Sequence, residues 1–254
     1  MLYGLYLSAA GMQAQEKRQA VLTNNLANAQ TTGFKRDLTV MQSRLNEAKE
    51  HGAAAQYQVP VLENQGGGVT LGGTVVDLSQ GSFKRTDEPG DMALSGRGFF
   101  TVQGAQGQKL LTRDGQFMVN EQGTLVTASG GNAVLGADGM AITVKPGVDV
   151  TIDEQGVVSQ KGQAAGKLGL ADVTDARRLV KLGGNLLTVD DPKALVAAPV
   201  QTGVKQGFLE ESGADPMVEM VTMMEGQRAF EANAKMITYQ DTTLQEVNTI
   251  GRVA

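Results

Sequence analysis

Two helical patterns at opposite ends of this 254-residue chain limit its fold more than any other feature. In residues 1 to 28 no proline interrupts apolar side chains spaced three and four apart, which predicts a helix of about 40 Å at roughly 1.5 Å per residue. Gly4 and Gly11 each cost up to ~1 kcal/mol relative to alanine in a helix. Because large apolar residues are also few, we expect this helix to need a partner.

The second pattern runs from Asp215 to about Ile250. Asp215 is a favourable N-cap, Pro216 suits the first helical position, and Gly251 stands where a left-handed C-cap would end the helix. A long apolar stripe predicts a helix–helix seam with the first helix. Its apolar members are Met220, Met223, Met224, Phe230, Ala234, Ile237, Leu244 and Val247, and its polar interruptions are Gln227, Asp241 and Asn248.

The middle of the chain, from about Val69 to Phe208, has the pattern of short strands joined by tight turns. Apolar runs recur at intervals of roughly ten residues, and turns containing Asp or Glu followed by Gly separate several of them. The runs are residues 99–102, 117–119, 125–126, 141–144 and 150–152. This pattern predicts an antiparallel β barrel or sandwich.

The expected fold is therefore α+β, with the terminal helices paired as a coiled-coil-like hairpin around a central β domain. The domain boundaries that follow are residues 1–29 and 215–254 for the helices, 30–68 for an irregular arm and 69–214 for the β domain. Within the arm, a helical stretch is expected from Val40 to Glu50.

Composition excludes most catalytic sites. The chain has no cysteine and a single histidine, His51 in the polar arm, which removes thiol chemistry, multi-His metal sites and most serine triads. Glu210 and Glu211 are adjacent and would point apart on regular structure. We predict no catalytic residue, no metal site and no cofactor.

Charge and hydropathy also restrict the partners. A net charge of −5 gives no electrostatic footprint for nucleic acid, and no stretch approaches the ~18 apolar residues of a membrane span. The first ten residues lack the basic start of a signal peptide, so we expect no cleaved signal peptide. The alternative of another class is a secreted carbohydrate-binding or carbohydrate-cleaving β protein. That alternative requires converging carboxylates or aromatic platforms, and the chain has only four Tyr, seven Phe and no Trp.

Sequence motifs occur at both ends and in the middle of the chain. They are residues 4–12 (GLYLSAAGM), 23–36 (TNNLANAQTTGFKR), 91–100 (DMALSGRGFF), 112–117 (TRDGQF), 206–212 (QGFLEES) and 218–237 (VEMVTMMEGQRAFEANAKMI). Together they resemble the signatures of the flagellar basal-body rod and hook protein family. One departure is Ser212-Gly213-Ala214, where the family usually has Ser-Asn-Val before the last helix.

The resemblance implies a subunit that is exported by the flagellar export apparatus without a cleaved signal and polymerises into the hollow rod of the basal body in the periplasm. Its partners would be copies of itself and other rod and hook subunits. The terminal helices would form the inner layer of the tube. The chain length fits the two mid-sized rod subunits. Residues 185–191 and 251–254 favour the proximal one, while the arm length is compatible with the distal one.

Residues of the terminal segments are the expected subunit interface. We expect Phe34, Lys35 and Arg36 to anchor the arm to a neighbour, and Asn24, Asn25 and Asn28 to form hydrogen bonds at the end of the first helix. Polar seam positions, with Gln19 on the first helix, would fix the helix register. The remaining predicted interface residues are Leu5, Met12, Leu22, Leu26, Met220, Met224, Gln227, Phe230, Ala234, Ile237 and Leu244.

Overall fold

The computed structural model describes residues 2–43 and 68–253. Two long helices occupy the chain ends, α1 (Leu2–Ala27) and α2 (Pro216–Val253). Both lie where the sequence predicted them, and α2 begins at Pro216 as expected for a proline in the first turn. The predicted C-cap at Gly251 is wrong, because the helix continues through that residue.

The chain divides into two compact units. The helical unit comprises residues 1–26, 37–74 and 216–254, and the β unit comprises residues 27–36 and 75–215. In the helical unit, β1 (Asp37–Ser43) and β2 (Val69–Val76) form a two-stranded sheet. Residues 40–43 are therefore strand, where a helix was expected from Val40. The rest of that expected helix, and His51, lie outside the described residues.

The β unit contains fifteen shorter strands and two 3₁₀ turns, at Ala176–Arg178 and Pro192–Ala194. The strands are β3 (Phe83–Arg85), β4 (Met92–Ser95), β5 (Phe99–Gln103), β6 (Lys109–Thr112), β7 (Phe117–Val119), β8 (Leu125–Thr127), β9 (Thr151–Ile152), β10 (Val157–Gln160), β11 (Gln163–Lys167), β12 (Leu170–Val173), β13 (Leu179–Gly183), β14 (Leu186–Val189), β15 (Leu195–Ala197), β16 (Gly203–Gln206) and β17 (Phe208–Glu210).

The largest sheet has six strands in the order β13-β14-β6-β5-β12-β15, all antiparallel. Successive side chains of a strand point to opposite faces. Accordingly Phe99 packs into one apolar cluster, while Phe100 and Val102 pack into another. Both faces of β5 are covered, which explains why residues 99–102 are all buried, without alternation. Phe100 also meets Phe117 edge to face, with ring centroids 5.0 Å apart.

The remaining strands form smaller antiparallel sheets: β11-β10-β9, β16-β4, β17-β3 and β7-β8. The run 141–144 makes only isolated bridges, Leu135 with Ala141 and Thr124 with Thr143, so the strand expected there is not formed. Within the described residues the sheets do not close into a barrel. The prediction of a mostly antiparallel β region between two terminal helices is confirmed.

Turn chemistry follows the sequence closely. Asp153 Oδ1 accepts hydrogen bonds from the backbone N–H groups of Gln155 (3.0 Å) and Val157 (2.8 Å). Gly156 in the same turn has φ of +78°, a conformation that glycine adopts without steric cost. The prediction that a carboxylate and a glycine shape this turn is confirmed, and the turn glycines Gly123 and Gly139 also have positive φ, whereas Gly115 does not.

Candidate functional site

The segment that follows α1, residues 31–36, is held in the β unit by backbone hydrogen bonds to two distant parts of the chain. Gly33 N donates to Glu210 O (2.7 Å), and Gly213 N donates to Phe34 O (2.9 Å). On the other side, Asp77 N donates to the carbonyl of Arg36 (2.9 Å). These residues include the end of the N-terminal motif and part of the C-terminal motif, which therefore meet in one place.

Gly33 is required by this arrangement. Its φ is +66°, in the left-handed region that favours glycine, and a Cβ at this position would clash with the backbone of Arg113. The motif glycine therefore permits a close approach of two backbones.

Beside this backbone pairing lies a buried ionic cluster of Lys35, Arg113 and Glu210, which we call the latch. Lys35 Nζ lies 2.6 Å from Glu210 Oε1, and Arg113 Nη1 lies 2.8 Å from Glu210 Oε2. All three side chains are at most 3% exposed. Such charges are stable in a protein interior only when paired and hydrogen-bonded.

Backbone groups add further hydrogen bonds to the latch, although the buried Nε of Arg113 has no hydrogen-bond partner among the described residues. Lys35 Nζ donates to Ser79 O (2.7 Å), and Gly81 N donates to Glu210 Oε1 (2.9 Å). Arg113 Nη2 donates to Gly96 O (2.6 Å). The single carboxylate thus serves two cations, and the cluster carries a net positive charge.

Burial shifts the titration of both cations. Desolvation lowers the pKa of Lys35 below its ordinary 10.5, with a smaller contribution from the like charge of Arg113, while Glu210 opposes the shift. Desolvation lowers the pKa of Arg113 in the same way, again opposed by Glu210. The latch is therefore sensitive to any change that removes its one anion.

Further side chains fix the backbone of segment 31–36. The ammonium of Lys181 lies 4.2 Å from the ring centroid of Phe34 and donates to the carbonyl of Lys35 (2.6 Å). Asn185 Nδ2 donates to Thr32 O (2.7 Å). The segment is therefore bound through both its side chains and its carbonyl groups.

Arg36 and Asp77 form a second, more exposed ion pair at 2.9 Å. Partial burial would raise the pKa of the Asp77 carboxyl, but hydrogen bonds from Ser79 and Arg36 outweigh it and leave this pKa below 3.8. The pair attaches the last residue of the segment to the chain that leaves β2.

In the helical unit, Asn25 joins the end of α1 to the start of β1. Its Nδ2 donates to Asp37 O (3.0 Å) and its Oδ1 accepts from Asp37 N (2.9 Å). Asn25 is only 1% exposed, and Asn28 Oδ1 accepts from Thr31 Oγ1 (3.3 Å). These two asparagines hydrogen-bond at the helix end, as the sequence predicted for them.

Two glycines of α1 mark where this helix comes close to α2. A Cβ at Gly4 would lie 2.6 Å from Gln240 Nε2, and one at Gly11 would lie 3.2 Å from Asn233 Nδ2. As the residue number rises along α1 it falls along α2, so the helices run antiparallel. Gly4 and Gly11 are seven residues apart, as are Asn233 and Gln240, which is the spacing of a heptad.

The predicted interface residues fall into two groups by burial. On α2, Met220 and Met224 are 42% and 54% exposed, and Gln227 is also exposed, whereas Met223 is half-buried and Gly226 is buried. The inward stripe at the start of α2 contains Glu219, Met223 and Gly226 and differs in phase from the expected one. Half-buried members of the prediction are Leu5, Met12, Leu22, Leu26, Phe230, Ala234, Ile237 and Leu244.

The expected polar seam positions also differ from the observed ones. Gln19 is half-buried, but Asp241 and Asn248 are exposed. Gln15 and Gln240 lie inward instead, and the buried Oε1 atom of each accepts no hydrogen bond from the described residues.

Phe34 and Lys35 were expected to contact a neighbouring subunit. Both are buried within their own chain, 6% and 4% exposed, so the structure shows an intramolecular anchor. Arg36 keeps a partly exposed side chain and Asn24 is exposed. Contact of the whole predicted set with other subunits stays a prediction.

Sequence reasoning missed the partners of Lys35. Arg113 lies in the motif at residues 112–117 and Glu210 in the motif at residues 206–212, but neither was assigned a role. The available signal was weak, because Glu210 follows the apolar Leu209 but the neighbours of Arg113 are the polar Thr112 and Asp114.

The structure gives little support to a carbohydrate site. A groove of about 740 Å³ beside β15 has one carboxylate, Glu154, and no aromatic side chain in its lining. The described residues contain no cluster of three His, Cys, Asp or Glu side chains that could hold a metal ion. Neither described helix has an apolar stretch long enough to cross a bilayer.

Three family models match the chain. They are a flagella basal body rod protein model over residues 5–35, a flagellar hook protein FlgE/F/G D1 domain model over residues 93–160, and a flagellar basal body rod FlgEFG protein C-terminal model over residues 205–250. The first and third models contain the segments that meet at the latch, and the second contains Arg113.

Full-length relatives are similar over nearly the whole chain. The flagellar basal-body rod protein FlgG of Caulobacter vibrioides is 32% identical over 259 residues, covering 96% of this chain and 97% of that protein. The protein of the same name from Buchnera aphidicola subsp. Schizaphis graminum is 32% identical, with 98% and 99% covered. The flagellar basal-body rod protein FlgF of Caulobacter vibrioides is 34% identical, with 92% and 91% covered.

Proposed function

The chain belongs to the family of flagellar basal-body rod proteins, and we propose that it polymerises through its terminal helices into the axial rod. The observation that carries this proposal is an exposed apolar face at the start of α2. Its members Met217, Met220, Val221 and Met224 are 69%, 42%, 50% and 54% exposed. A contiguous apolar face of this kind is typical of a protein–protein contact.

The opposite face of α2 supports an intramolecular partner. We propose that α1 and α2 pair as an antiparallel coiled-coil-like hairpin, with Gly4 and Gly11 permitting the close approach. The exposed apolar face then remains for neighbouring subunits. Contacts between different surfaces of successive copies do not close on themselves, and they generate a helical tube.

Methionine is suited to such a contact because its unbranched thioether adapts to irregular surfaces. The same face could thus pack on a second copy of the chain and on other rod and hook subunits, which are the partners we propose. The chain would act as a structural protein without enzymatic activity.

The experiment is a double substitution, Met220→Ser with Met224→Ser, in the full-length protein. Filament formation is measured by sedimentation and electron microscopy, and motility by complementation of a strain that lacks the gene. We expect assembly and motility to be lost while circular dichroism of the monomer stays unchanged.

The matched control is Met118→Ser with Met140→Ser, since these β-unit methionines are 53% and 67% exposed. The control should assemble normally. Normal assembly of the Met220/Met224 variant would refute the proposed contact face. Removal of residues 1–28 provides a second test, because it should abolish incorporation into filaments and leave the β unit soluble.

Within the rod we propose the FlgF-like, proximal position first, on the resemblance of residues 185–191 and 251–254. The FlgG-like, distal position is the second candidate, supported by the high coverage of the FlgG relatives. Complementation of strains lacking either subunit distinguishes them, because only the matching strain should recover a complete rod.

We also propose export through the flagellar export apparatus, with the N-terminus retained, to the periplasmic rod. N-terminal sequencing of the protein from purified basal bodies tests this. Retention of Gly4 and the residues around it is expected, and a mature chain that starts within α1 would contradict it.

A further inference from the structure

The two connections of the β unit to the terminal helices run side by side. Residues 31–36 follow α1, and residues 210–213 precede α2. Gly33 N and Gly213 N each donate a backbone hydrogen bond to the other connection. The two connections are attached to the rest of the β unit in different ways, however. They also carry opposite charges of the latch, Lys35 on the first and Glu210 on the second.

The C-terminal connection has its own attachment. Glu210 pairs with Phe83 as part of β17 and β3, and Glu211 N donates to Ser82 O (2.8 Å). The Glu210 side chain is held by Arg113 and by the N–H of Gly81. If the N-terminal connection leaves, Lys35 moves into water and Glu210 keeps one cation and one backbone donor.

The reverse state is unfavourable. If residues 210–213 leave while residues 31–36 stay, Lys35 and Arg113 remain buried together without the carboxylate that pairs with both. Only the weaker charge interactions of Lys35 with Asp77 and of Arg113 with Asp172 remain. Two buried cations that have lost their hydrogen-bonded anion are strongly destabilising. Gly33 would also lose its backbone acceptor, Glu210 O.

We propose that the latch imposes an order on the two connections, so that residues 31–36 dock only after residues 210–213 are in place. Of the two connections, the N-terminal one opens first and closes last. Its docking is conditional on a carboxylate 175 residues further along the chain. This order concerns the single chain and does not depend on polymerisation.

Amide hydrogen exchange on the full-length protein tests the order, since it reports local opening residue by residue. The Gly33 amide donates to Glu210 O and is freed when either connection leaves, whereas the Glu211 amide is freed when the C-terminal connection leaves. In the unmodified protein the Gly33 amide should exchange faster than the Glu211 amide. Equal exchange at the two amides, or better protection of Gly33, would overturn the proposal without any variant, because it would mean that the C-terminal connection leaves first or together with the other.

Two variants extend the test. Lys35→Met leaves Arg113 and Glu210 as a neutral pair, so exchange at Gly33 should rise at least about tenfold with Glu211 unchanged. Glu210→Gln removes the anion, so exchange at both amides should rise, by about a hundredfold or more.

The control is Arg85→Gln, which removes an ion pair whose side chains are 71% exposed and should change neither amide. The proposal fails if Lys35→Met accelerates Glu211 as much as Gly33. It also fails if Glu210→Gln leaves Gly33 protected. If Glu210→Gln does not fold, the exchange rates of Gly33 and Glu211 in the unmodified protein and in Lys35→Met decide whether the proposal holds.

Discussion

Replacement of Gly33 by alanine should destabilise the β unit more than the same replacement at any open glycine with the same backbone conformation. Gly33 has φ of +66° and Gly131 has φ of +65°. A Cβ at Gly131 would meet nothing within 4 Å, whereas a Cβ at Gly33 would clash with the backbone of Arg113. The two positions therefore separate conformational strain from the clash.

The expected magnitudes follow from those two contributions. A left-handed conformation costs an alanine about 1–2 kcal/mol, which both variants share. Overpacking against a backbone that cannot rotate away adds about 1–3 kcal/mol at Gly33 alone. We expect losses in the free energy of unfolding of about 2–5 kcal/mol for Gly33→Ala and about 1–2 kcal/mol for Gly131→Ala.

The loss in the free energy of unfolding of each alanine variant is measured by urea unfolding. Hydrogen exchange at the amides of the buried residues Val102 and Val134 reports the unfolding. A second reporter is the Asp77 amide, which donates to Arg36 O in the docked segment. Equal losses for the two alanine variants would refute the reasoning, because the close approach to Arg113 would then have no energetic consequence.

Three further predictions concern pH and packing, all read by urea unfolding. Because burial lowers the pKa of Lys35, the unfolded chain binds that proton more tightly; stability should rise with pH from the lowered pKa towards 10.5, and Lys35→Met should remove this rise. Although burial opposes it, hydrogen bonding lowers the pKa of Asp77; its stabilisation should be present above pH 3.8 and lost as pH falls through the lowered pKa, and Asp77→Asn should remove this acid dependence. Phe117→Ala should cost about 3–5 kcal/mol, while Met118→Ala next to it should cost at most about 0.5 kcal/mol, because only Phe117 is buried.

Each of these has a contrary outcome. A pH slope below 10.5 that persists in Lys35→Met would assign the effect to another group. If Asp77→Asn loses stability at acid pH as the unmodified protein does, the Arg36 and Ser79 hydrogen bonds do not favour the charged carboxylate. Similar losses at Phe117 and Met118 would contradict the core position of the Phe117 ring.

Local patterns in the sequence predicted local structure well. Helix α2 starts at the proline that was expected to start it, and Asp153 bonds the backbone of its own turn. In both cases the determining contacts lie within a few residues. Gly251 shows the limit of this reasoning, because a glycine is compatible with a C-cap but does not impose one.

The latch could not be predicted in the same way. Lys35 and Glu210 are 175 residues apart, and nothing in either local pattern identifies the other as its partner. The inward stripe of α2 was out of phase for a different reason. Hydrophobic periodicity identifies large apolar residues, whereas the buried positions at the start of α2 are occupied by Glu219 and Gly226, and Met217, Met220 and Met224 are exposed.

The side-by-side position of segments 31–36 and 210–213 has a mechanical consequence. A pulling force applied between the two terminal helices enters and leaves the β unit through these segments. Its shortest path crosses the Gly33 and Gly213 hydrogen bonds and the Lys35–Glu210 contact. These few bonds should therefore bear such a force first, and the six-stranded sheet should take part of it only through side-chain contacts such as that of Lys181 with the carbonyl of Lys35.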